Sequence, residues 1–301
     1  MKSNNVLKED TKINDINPIV KNTKVPKQLG SLIKKTLLYI ALTALAILCF
    51  LPFFIMIINA THTNGEIATT LSLTPGSALM VNYKRLLESQ PIWNGLLNSL
   101  IIASSVTIVS GYASALTAYG FSKFKFKGNS ILFWILLGTM MIPTQLGMIG
   151  LFQLVKTFKL LDSYLPLIIP AIASPASVFF IKGYTDGAIS ESLIEAARID
   201  GCNEFKIFNR IVLPLIFPSV ATMSIFTFIS TWNNFLIPLI LLFDPKKFTL
   251  PIMVMLARGT YQTEYGAVFA GVAISIIPIM IAFIFLSKKI VGGLTVGGVK
   301  G

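Results

Sequence analysis

A single polar stretch interrupts the middle of an otherwise apolar chain, and its residues are Glu191-Ser192-Leu193-Ile194-Glu195-Ala196-Ala197-Arg198-Ile199-Asp200-Gly201. The pattern predicts a short helix, with Ser190 as its N-cap and Gly201 as the left-handed residue that ends it. A second short helix is predicted to follow and to end at Pro214. We interpret the stretch as a docking element for another protein.

Helical spacing divides this stretch into two faces. At steps of three and four residues the small and aliphatic side chains fall together, and these are Ile189, Leu193, Ala196 and Ala197. The other face carries the charged residues Glu191, Glu195 and Arg198. Small residues beside a charged flank suit close insertion into a partner. A solvated amphipathic loop between two membrane spans is the alternative interpretation.

Composition predicts an integral membrane protein. The 301 residues are 54% hydrophobic and 13% charged, and the mean hydropathy is +0.74. This leaves too little polar surface for a soluble globule. Uncharged apolar runs of about 20 residues predict an all-α fold with six transmembrane helices. The runs cover residues 36–58, 94–122, 130–155, 163–181, 213–243 and 267–287.

The basic residues predict the orientation of these helices. Of the 25 Lys and Arg residues, 18 fall on one side of the six-helix arrangement, and cytoplasmic segments carry such an excess. Both termini and the stretch around Glu195 are therefore predicted to lie in the cytoplasm of a multi-pass cell-membrane protein. The net charge of +12 indicates contact with membrane lipid and no nucleic-acid binding, because the basic residues border the apolar runs.

The apolar runs lack the groups that catalysis or ion coupling would need. Their cores contain no Asp, Glu, Lys, Arg or His, although ionisable groups usually carry ion coupling in gradient-driven transporters. With no nucleophile and base, paired carboxylates or metal-ligand cluster, the chain is predicted to be no enzyme and to hold no cofactor or metal. The nearest match to a phosphate-binding loop, residues 293–300, is broken by Val299. ATP hydrolysis is therefore expected on a partner chain.

The string from Glu195 to Gly201, followed about ten residues later by Ile211-Val212-Leu213-Pro214, resembles the EAA loop of the membrane subunits of ABC importers. In that family the loop forms a coupling helix, seated in a cleft of a separate ATPase subunit. The resemblance implies a type I importer permease fold. It also implies an ATPase-coupling role for Glu191, Leu193, Glu195, Ala196, Ala197, Arg198, Asp200 and Gly201. Ser190 stands where the family often has Pro, and Cys202 where it often has Ala.

Further segments resemble the maltose-type second permease of carbohydrate importers. They are Asn94 to Leu100, Tyr119 to Gly128, Trp232 to Leu239 and the C-terminal Gly293-Leu-Thr-Val-Gly-Gly-Val-Lys-Gly301. That family imports di- and oligosaccharides or glycerol-phosphate compounds. The resemblance implies that the C-terminal segment approaches the ATPase dimer through Thr295, Gly297 and Lys300. A frayed glycine-rich tail is the alternative.

Two further sets of residues are candidate contacts. Polar side chains within the apolar runs are candidates for the solute path, namely Gln145, Gln153, Trp232, Asn233 and Asn234. Each of them also suits packing between membrane helices. The resemblance implies that the loop at residues 244–264 contacts an external solute-binding protein through Arg258, Tyr261 and Gln262, with ordinary loop packing as the alternative.

These expectations give a domain plan. Residues 1–35 form a cytoplasmic polar tail, residues 36–92 the first transmembrane helix and an external segment, residues 93–287 the permease domain with its cytoplasmic loop at about 185–213, and residues 288–301 a cytoplasmic tail. The resemblance implies assembly with a homologous second permease, two ATP-binding subunits and an extracytoplasmic solute-binding protein. The predicted function is import of di- or oligosaccharides. The alternatives are a permease for another solute, such as glycerol phosphate, and a membrane scaffold or sensor that docks a cytoplasmic partner.

Overall fold

The computed structural model describes residues 27–172, 174–258 and 264–298, with side chains between residues 31 and 284 in those ranges. All regular structure in these ranges is helical, so the prediction of an all-α fold is confirmed. The helices are α1 (Lys27–Asn59), α2 (Asn64–Thr69), α3 (Leu79–Ser89), α4 (Ile92–Lys123), α5 (Asn129–Thr139), α6 (Met148–Thr157), α7 (Leu165–Ile168), α8 (Pro175–Ala188), α9 (Glu191–Ile199), α10 (Glu204–Ile207), α11 (Leu213–Trp232), α12 (Leu236–Leu241), α13 (Leu250–Leu256) and α14 (Tyr265–Gly298). Short 3-10 segments occur at Thr144–Gly147, Ile169–Ile172 and Pro245–Lys247, and a π-helical segment at Phe208–Val212.

Within the described residues, five helical stretches are long and apolar enough to cross a membrane, and a bent pair of helices makes a sixth if the pair forms one span. The five are Ser31–Asn59, Ile92–Lys123, Leu165–Ala188, Glu204–Trp232 and Tyr265–Ile284, and the bent pair is Asn129–Thr139 with Thr144–Thr157. Five of the six predicted apolar runs therefore overlap these stretches, and the bent pair overlaps the remaining run, residues 130–155.

The third predicted run, residues 130–155, is divided by a sharp bend. The helix axes on either side of the break meet at 91°. Pro143 lies at the break with an extended ψ of 127°. Because proline has no N–H and its ring clashes with the preceding helical turn, it ends the α-helical ladder here. The run is two helices and not one.

The helix that corresponds to the fifth predicted run, residues 213–243, begins and ends earlier than that run. α10 continues through the π-helical segment into α11, so the helix begins at Glu204. The prediction of a separate short helix that ends at Pro214 is therefore wrong. The helix stops at Trp232, and α12 begins only at Leu236.

The described residues divide into two units, the first ending at Pro52 and the second beginning at Phe53. In the first unit the structure describes the greater part of α1. Its side chains from residue 31 to residue 50 are exposed and mostly apolar. Such a surface suits lipid tails, because an α-helix satisfies its own backbone hydrogen bonds.

In the second unit, α4 packs against α8, α11 and α13. The approach of α4 to α11 is close at Gly111, where an added Cβ would lie 3.3 Å from Ser224 Oγ. Small residues permit this spacing between membrane helices. α4 is therefore the helix around which the second unit is packed.

Buried side chains of the second unit form two clusters, which we name the α9 core and the α13 core. The α9 core includes Tyr119, Ile194, Ala197, Phe208 and Val212. The α13 core includes Leu86, Ile92, Trp232, Leu250 and Met253. Because α4 and α11 contribute to both clusters, they connect the α9 region to the α13 region.

The loops beside the α13 core are fixed by hydrogen bonds from side chains to the backbone. Asn98 Nδ2 donates to the carbonyl oxygens of Lys246 and Phe248, both at 2.9 Å. Asp162 Oδ1 accepts from the N–H groups of Asp244 at 2.8 Å and Phe243 at 2.6 Å. These two donors lower the pKa of the Asp162 carboxyl below its ordinary value. The loops that follow α6 and α12 are thereby joined.

The start of α14 lies very close to α3. Asn82 is buried, and its Nδ2 donates to the carbonyl oxygens of Ala60 and His62, both at 2.8 Å. A Cβ added to Gly266 would overlap the Asn82 side chain. Because two hydrogen bonds hold this amide, glycine is the residue that allows the contact.

We expect Gly266→Ala to destabilise the detergent-solubilised protein, because the new methyl group must displace a buried, hydrogen-bonded amide. Overpacking of this kind costs about 1–3 kcal/mol, so the midpoint of thermal unfolding should fall by several degrees. The matched control is Gly183→Ala in α8, where an added Cβ meets nothing within 4 Å. Equal midpoints for the two variants would contradict the close contact.

Candidate coupling site

The N-terminus of α9 is capped by its own sequence. Ser190 has extended backbone angles, and its Oγ accepts a hydrogen bond from the N–H of Leu193 at 3.3 Å. This satisfies one of the N–H groups that the first helical turn leaves without a partner. The prediction of Ser190 as the N-cap is confirmed.

The C-terminus of α9 closes in a Schellman motif. Gly201 has a φ of +78°, and its N–H donates to the Arg198 carbonyl at 3.0 Å. The N–H of Cys202 donates to the Ala197 carbonyl, also at 3.0 Å. Glycine adopts this left-handed conformation without a Cβ clash. The predicted helix end at Gly201 is confirmed.

The side of α9 that faces the rest of the chain carries Ile194 and Ala197. Both are buried in the α9 core, together with Ile189, which precedes the N-cap. Leu193 and Ala196 are exposed. The prediction that Ala197 shares a partner-facing side with Leu193 and Ala196 is therefore wrong, because Ala197 lies three residues from Ile194 and packs inward with it.

The outer side of α9 combines acidic and apolar groups. Glu195 is exposed, and its carboxylate makes no hydrogen bond or ion pair with the described part of the chain. Ile199 is 87% exposed and Phe205 of α10 is 67% exposed. Contiguous exposed apolar surface with a polar rim marks protein interaction sites, and Ile199 and Phe205 are candidates for such a surface. Ile199 and Phe205 were not among the predicted contact residues. Ile199 lies five residues after Ile194, which places it away from the inward side of the helix, and this spacing could have identified it as exposed.

Arg198, Glu204 and Tyr119 join α9 to its neighbours. Arg198 Nε donates to Glu204 Oε1 at 2.6 Å, and Tyr119 Oη donates to Glu204 Oε2 at 3.1 Å. The hydrogen bond to Glu204 raises the pKa of the Arg198 guanidinium, which stays charged. The guanidinium also lies 5.9 Å from the centroid of the Phe124 ring. α9 is thereby connected to the end of α4 and to α10.

A second contact fixes the start of α9. Lys123 Nζ donates to the carbonyl oxygen of Ile189 at 2.5 Å. Lys125 Nζ lies 3.7 Å from Glu191 Oε1, an exposed pair that adds little stability. Between the end of α4 and α9 lies a cleft of about 280 Å³, and Glu195 is among the residues that line it. Asp200 is the exposed C-cap of α9.

The other predicted contact residues are only partly described. Thr295 and Gly297 lie in the helical backbone of α14, which continues to Gly298. Lys300 lies outside the described residues. Arg258 is exposed just after α13, whereas Tyr261 and Gln262 also fall outside the described ranges.

The candidate solute-path residues divide into two groups. Gln145 and Gln153 are exposed on the 3-10 segment before α6 and on α6 itself. The other three follow one another where α11 ends. Trp232 is only 1% exposed, and its Nε1 donates to the Ser275 carbonyl at 3.1 Å. Trp232 packs in the α13 core and also lines a cavity of about 470 Å³.

Asn233 and Asn234 border two different cavities. Asn233 is exposed and lines a cavity of about 470 Å³ together with Arg258. Asn234 is half-buried and lines a second cavity beside α4. The break between α11 and α12 therefore places neighbouring amides in separate environments.

Comparison with known proteins identifies the family. Residues 111–293 match the family described as binding-protein-dependent transport system inner membrane component. The chain is 36% identical over 261 residues to the arabinooligosaccharides transport system permease protein AraQ of Bacillus subtilis (strain 168), which covers 85% of this chain and 92% of that protein. It is 30% identical over 259 residues to the sn-glycerol-3-phosphate transport system permease protein UgpE of Salmonella typhimurium, which covers 83% and 92%.

The fold is similar to a chain in the crystal structure of a bacterial ABC transporter involved in the import of the acidic polysaccharide alginate. The TM-score is 0.70 at 22% identity, and the match covers 90% of this chain and 99% of that chain. The family match includes the end of α4, the bent pair, α9 with both caps and the break after α11. This chain therefore belongs to the family of inner membrane components of binding-protein-dependent transport systems.

Proposed function

We propose that this chain is one of two permease subunits in an ABC importer for di- or oligosaccharides, with ATP hydrolysed by two separate subunits. The observation that carries the proposal is the construction of α9. It is a capped helix, anchored to α4 and α10, that leaves Glu195, Ile199 and Phe205 exposed. A partner ATPase that binds this surface would act directly on the helices that α9 contacts.

The names of the relatives support the solute class. AraQ is named for arabinooligosaccharides, and its identity to this chain is 36%, against 30% for the sn-glycerol-3-phosphate permease UgpE. Glycerol phosphate remains the second candidate solute. An external binding protein would deliver the solute, and the family name itself refers to such a protein.

We further propose that α9 lies in the cytoplasm and that α2 and α3 lie outside. Lys123, Ile189 and Glu204 meet around α9, whereas Asn98 and Asp162 contact the loop after α12. The segments that follow the bent pair and α12 are therefore joined to each other and to the start of α4, whereas α9 is joined to the end of α4. If the chain crosses the membrane six times, successive connecting segments lie alternately on its two sides, which agrees with this arrangement.

Labelling with a membrane-impermeant maleimide tests this orientation. In a background of Cys49→Ala and Cys202→Ala, Ser192→Cys should react only from the cytoplasmic side and Lys84→Cys only from outside. Both positions are exposed, so accessibility will not limit either reaction. Reaction of both cysteines from the same side would contradict the arrangement.

Uptake should depend on ATP and not on a proton gradient, because the central parts of the apolar runs carry no ionisable residue. In vesicles that contain the whole complex and internal ATP, a protonophore should leave the initial rate of arabinotriose uptake unchanged. Removal of ATP or of the binding protein should abolish uptake. Loss of uptake on adding the protonophore at constant ATP would contradict the proposed energy source.

Two substitutions test the coupling role of α9. Glu195→Lys reverses the charge of a carboxylate that makes no hydrogen bond or ion pair within the described residues, and should weaken ATPase binding. Gly201→Val should cost roughly 1 kcal/mol or more, because its φ of +78° disfavours a β-branched residue. We expect both variants to insert in the membrane, to retain less ATPase on copurification and to lose uptake.

Matched variants separate charge and backbone effects. Glu195→Gln keeps the shape of the side chain, and Gly201→Asn supplies a residue that tolerates the left-handed conformation. An added Cβ at Gly201 meets nothing within 4 Å in this chain, so Gly201→Asn should retain more uptake than Gly201→Val. Normal ATPase binding and normal uptake in both Glu195→Lys and Gly201→Val would refute the coupling assignment.

A further inference from the structure

The turn between α4 and α5 alternates basic and aromatic residues, and its sequence is Lys123-Phe124-Lys125-Phe126-Lys127. It joins the long apolar helix α4 to the bent pair, at the level where such helices meet the headgroups of a membrane. With the first residues of α5, this turn lines an open groove of about 700 Å³. No Asp or Glu is among the described residues that line it. The groove is therefore a basic surface.

Two of the three lysines are available to an anion from outside the chain. The amine of Lys123 is occupied, because it donates to the carbonyl oxygen of Ile189. Lys127 makes no hydrogen bond or ion pair within the described residues. Lys125 Nζ lies 3.7 Å from Glu191 Oε1, but the Lys125 side chain is 88% exposed, so water screens this pair. Two positive charges in the groove thus lack a firm partner.

The shape of the turn is fixed before any ligand binds. Asn129 Nδ2 donates to the Phe124 carbonyl at 2.8 Å, and the Asn129 N–H donates to the Phe126 carbonyl at 3.2 Å. Gly128 has a φ of +90°, a left-handed conformation that glycine adopts without a Cβ clash. A site that is ordered in advance loses less entropy when a ligand binds. The basic residues are therefore held on one short, ordered turn.

The first turn of α5 adds hydrogen-bond donors to the groove. The N–H groups of Ser130 and Ile131 make no hydrogen bond within the described residues. Gly128, the N-cap, has no side chain to satisfy them, and the first turn of this helix contains no acidic residue. Free N–H groups and the helix dipole favour a negative charge at this end. They reinforce the two lysines, which supply the net charge.

Beyond these donors, one side of α5 is apolar and uncovered. Ile131, Trp134 and Ile135 are each more than half exposed, and their spacing of three and four residues places them on the same side of the helix. Ile131 also lines the groove. α5 belongs to the bent pair, which is apolar enough to cross a membrane. A ligand in the groove therefore meets positive charge at one end and an apolar surface along the helix.

Charge and apolar surface together select an anionic phospholipid. Its phosphate oxygens accept hydrogen bonds and carry the charge that lysines and free N–H groups bind. A free phosphate leaves the apolar side of α5 without a ligand, and an acidic protein surface suits the lysines but not that apolar side. In a zwitterionic lipid the ammonium group offsets the phosphate charge. Lysines beside membrane helices are attracted to anionic lipid in this way.

We propose that the groove between α4 and α5 binds the headgroup of an anionic phospholipid, with Lys125 and Lys127 as its ionic partners. The free N–H groups of α5 bind phosphate oxygens, and the acyl chains lie along Ile131 and Trp134. This site goes beyond the proposed import function, because it assigns a membrane ligand to a surface outside the solute path. Lys125 also lines the cleft beside α9, whereas Lys127 is not among the residues that line that cleft. Lys127 is therefore the residue to test.

A photo-crosslinking amino acid reports which lipid occupies the groove itself. Phe126 lines the groove and is 46% exposed, so Phe126→p-benzoylphenylalanine places a reactive ketone between the two lysines. The whole complex is reconstituted in liposomes with equal amounts of phosphatidylglycerol and phosphatidylcholine, and irradiated. Mass spectrometry of the chain gives the ratio of the two lipid adducts. We expect about tenfold more phosphatidylglycerol adduct, and inorganic phosphate in millimolar amounts should leave this ratio unchanged.

Substitutions and a second position supply the controls. In the same background Lys127→Gln should lower the ratio about fivefold, the effect of one lysine near anionic lipid, whereas Lys127→Arg should keep it. The matched position is Phe158→p-benzoylphenylalanine at the end of α6. Phe158 is exposed and lies between Lys156 and Lys159, but a helix C-terminus presents carbonyl oxygens and not N–H groups. Its preference for phosphatidylglycerol should be severalfold smaller.

Four results would overturn the lipid site. They are equal lipid adducts at position 126, an unchanged ratio in Lys127→Gln, an equal preference at position 158, and loss of the phosphatidylglycerol adduct on adding inorganic phosphate, which would indicate a free phosphate as the ligand. An unchanged ratio together with less copurified ATPase would assign Lys127 to a protein partner. Uptake of arabinotriose is measured separately, so failure of the lipid site leaves the proposed import function intact.

Discussion

The carboxylate of Glu204 is the group on which the connection between α9 and the membrane helices depends. One oxygen accepts from Arg198 and the other from Tyr119. Because α10 continues into α11 without a break, this one side chain belongs to a membrane-crossing helix, binds α9 and binds α4. Glu204 therefore joins α9 to two long apolar helices through short side-chain contacts and not only through the connecting loop.

The strength of this connection comes from its surroundings more than from the ion pair. The Arg198 and Glu204 side chains are still 43% and 44% exposed, and exposed ion pairs contribute about 0–1 kcal/mol. The Tyr119 ring adds an edge contact to Phe124 with centroids 5.4 Å apart and a stacked contact to Phe208 at 5.7 Å. Aromatic pairs of this type are worth about 0.5–1.5 kcal/mol beyond the area they bury. The hydrogen bonds set the geometry, and the aromatic contacts hold it.

The parts of the structure that follow from short-range rules were predictable from the sequence. The all-α class, the apolar crossings, the Ser190 cap and the Gly201 end depend on hydropathy or on local backbone chemistry. The inward face of α9 was not predictable in this way. Ala197 has helical spacing with Leu193 and also with Ile194, so spacing alone does not tell which side of α9 faces inward. The packing of Ile194 against residues far along the chain decides this. The 91° bend at Pro143 also needed tertiary information, because proline in a membrane helix is compatible with a mild kink or a complete break.

The π-helical segment at Phe208–Val212 sets the angular phase of the whole helix from Glu204 to Trp232. A π turn accommodates one more residue than an α turn, and each helical residue advances the side-chain direction by about 100°. A chain shorter by one residue in this segment could continue as a regular α-helix. Glu204 would then be rotated by about 100° relative to Trp232. If Trp232 kept its place in the α13 core, Glu204 would point away from Arg198 and Tyr119. One additional residue thus brings the two ends of a long helix into register with two separate cores.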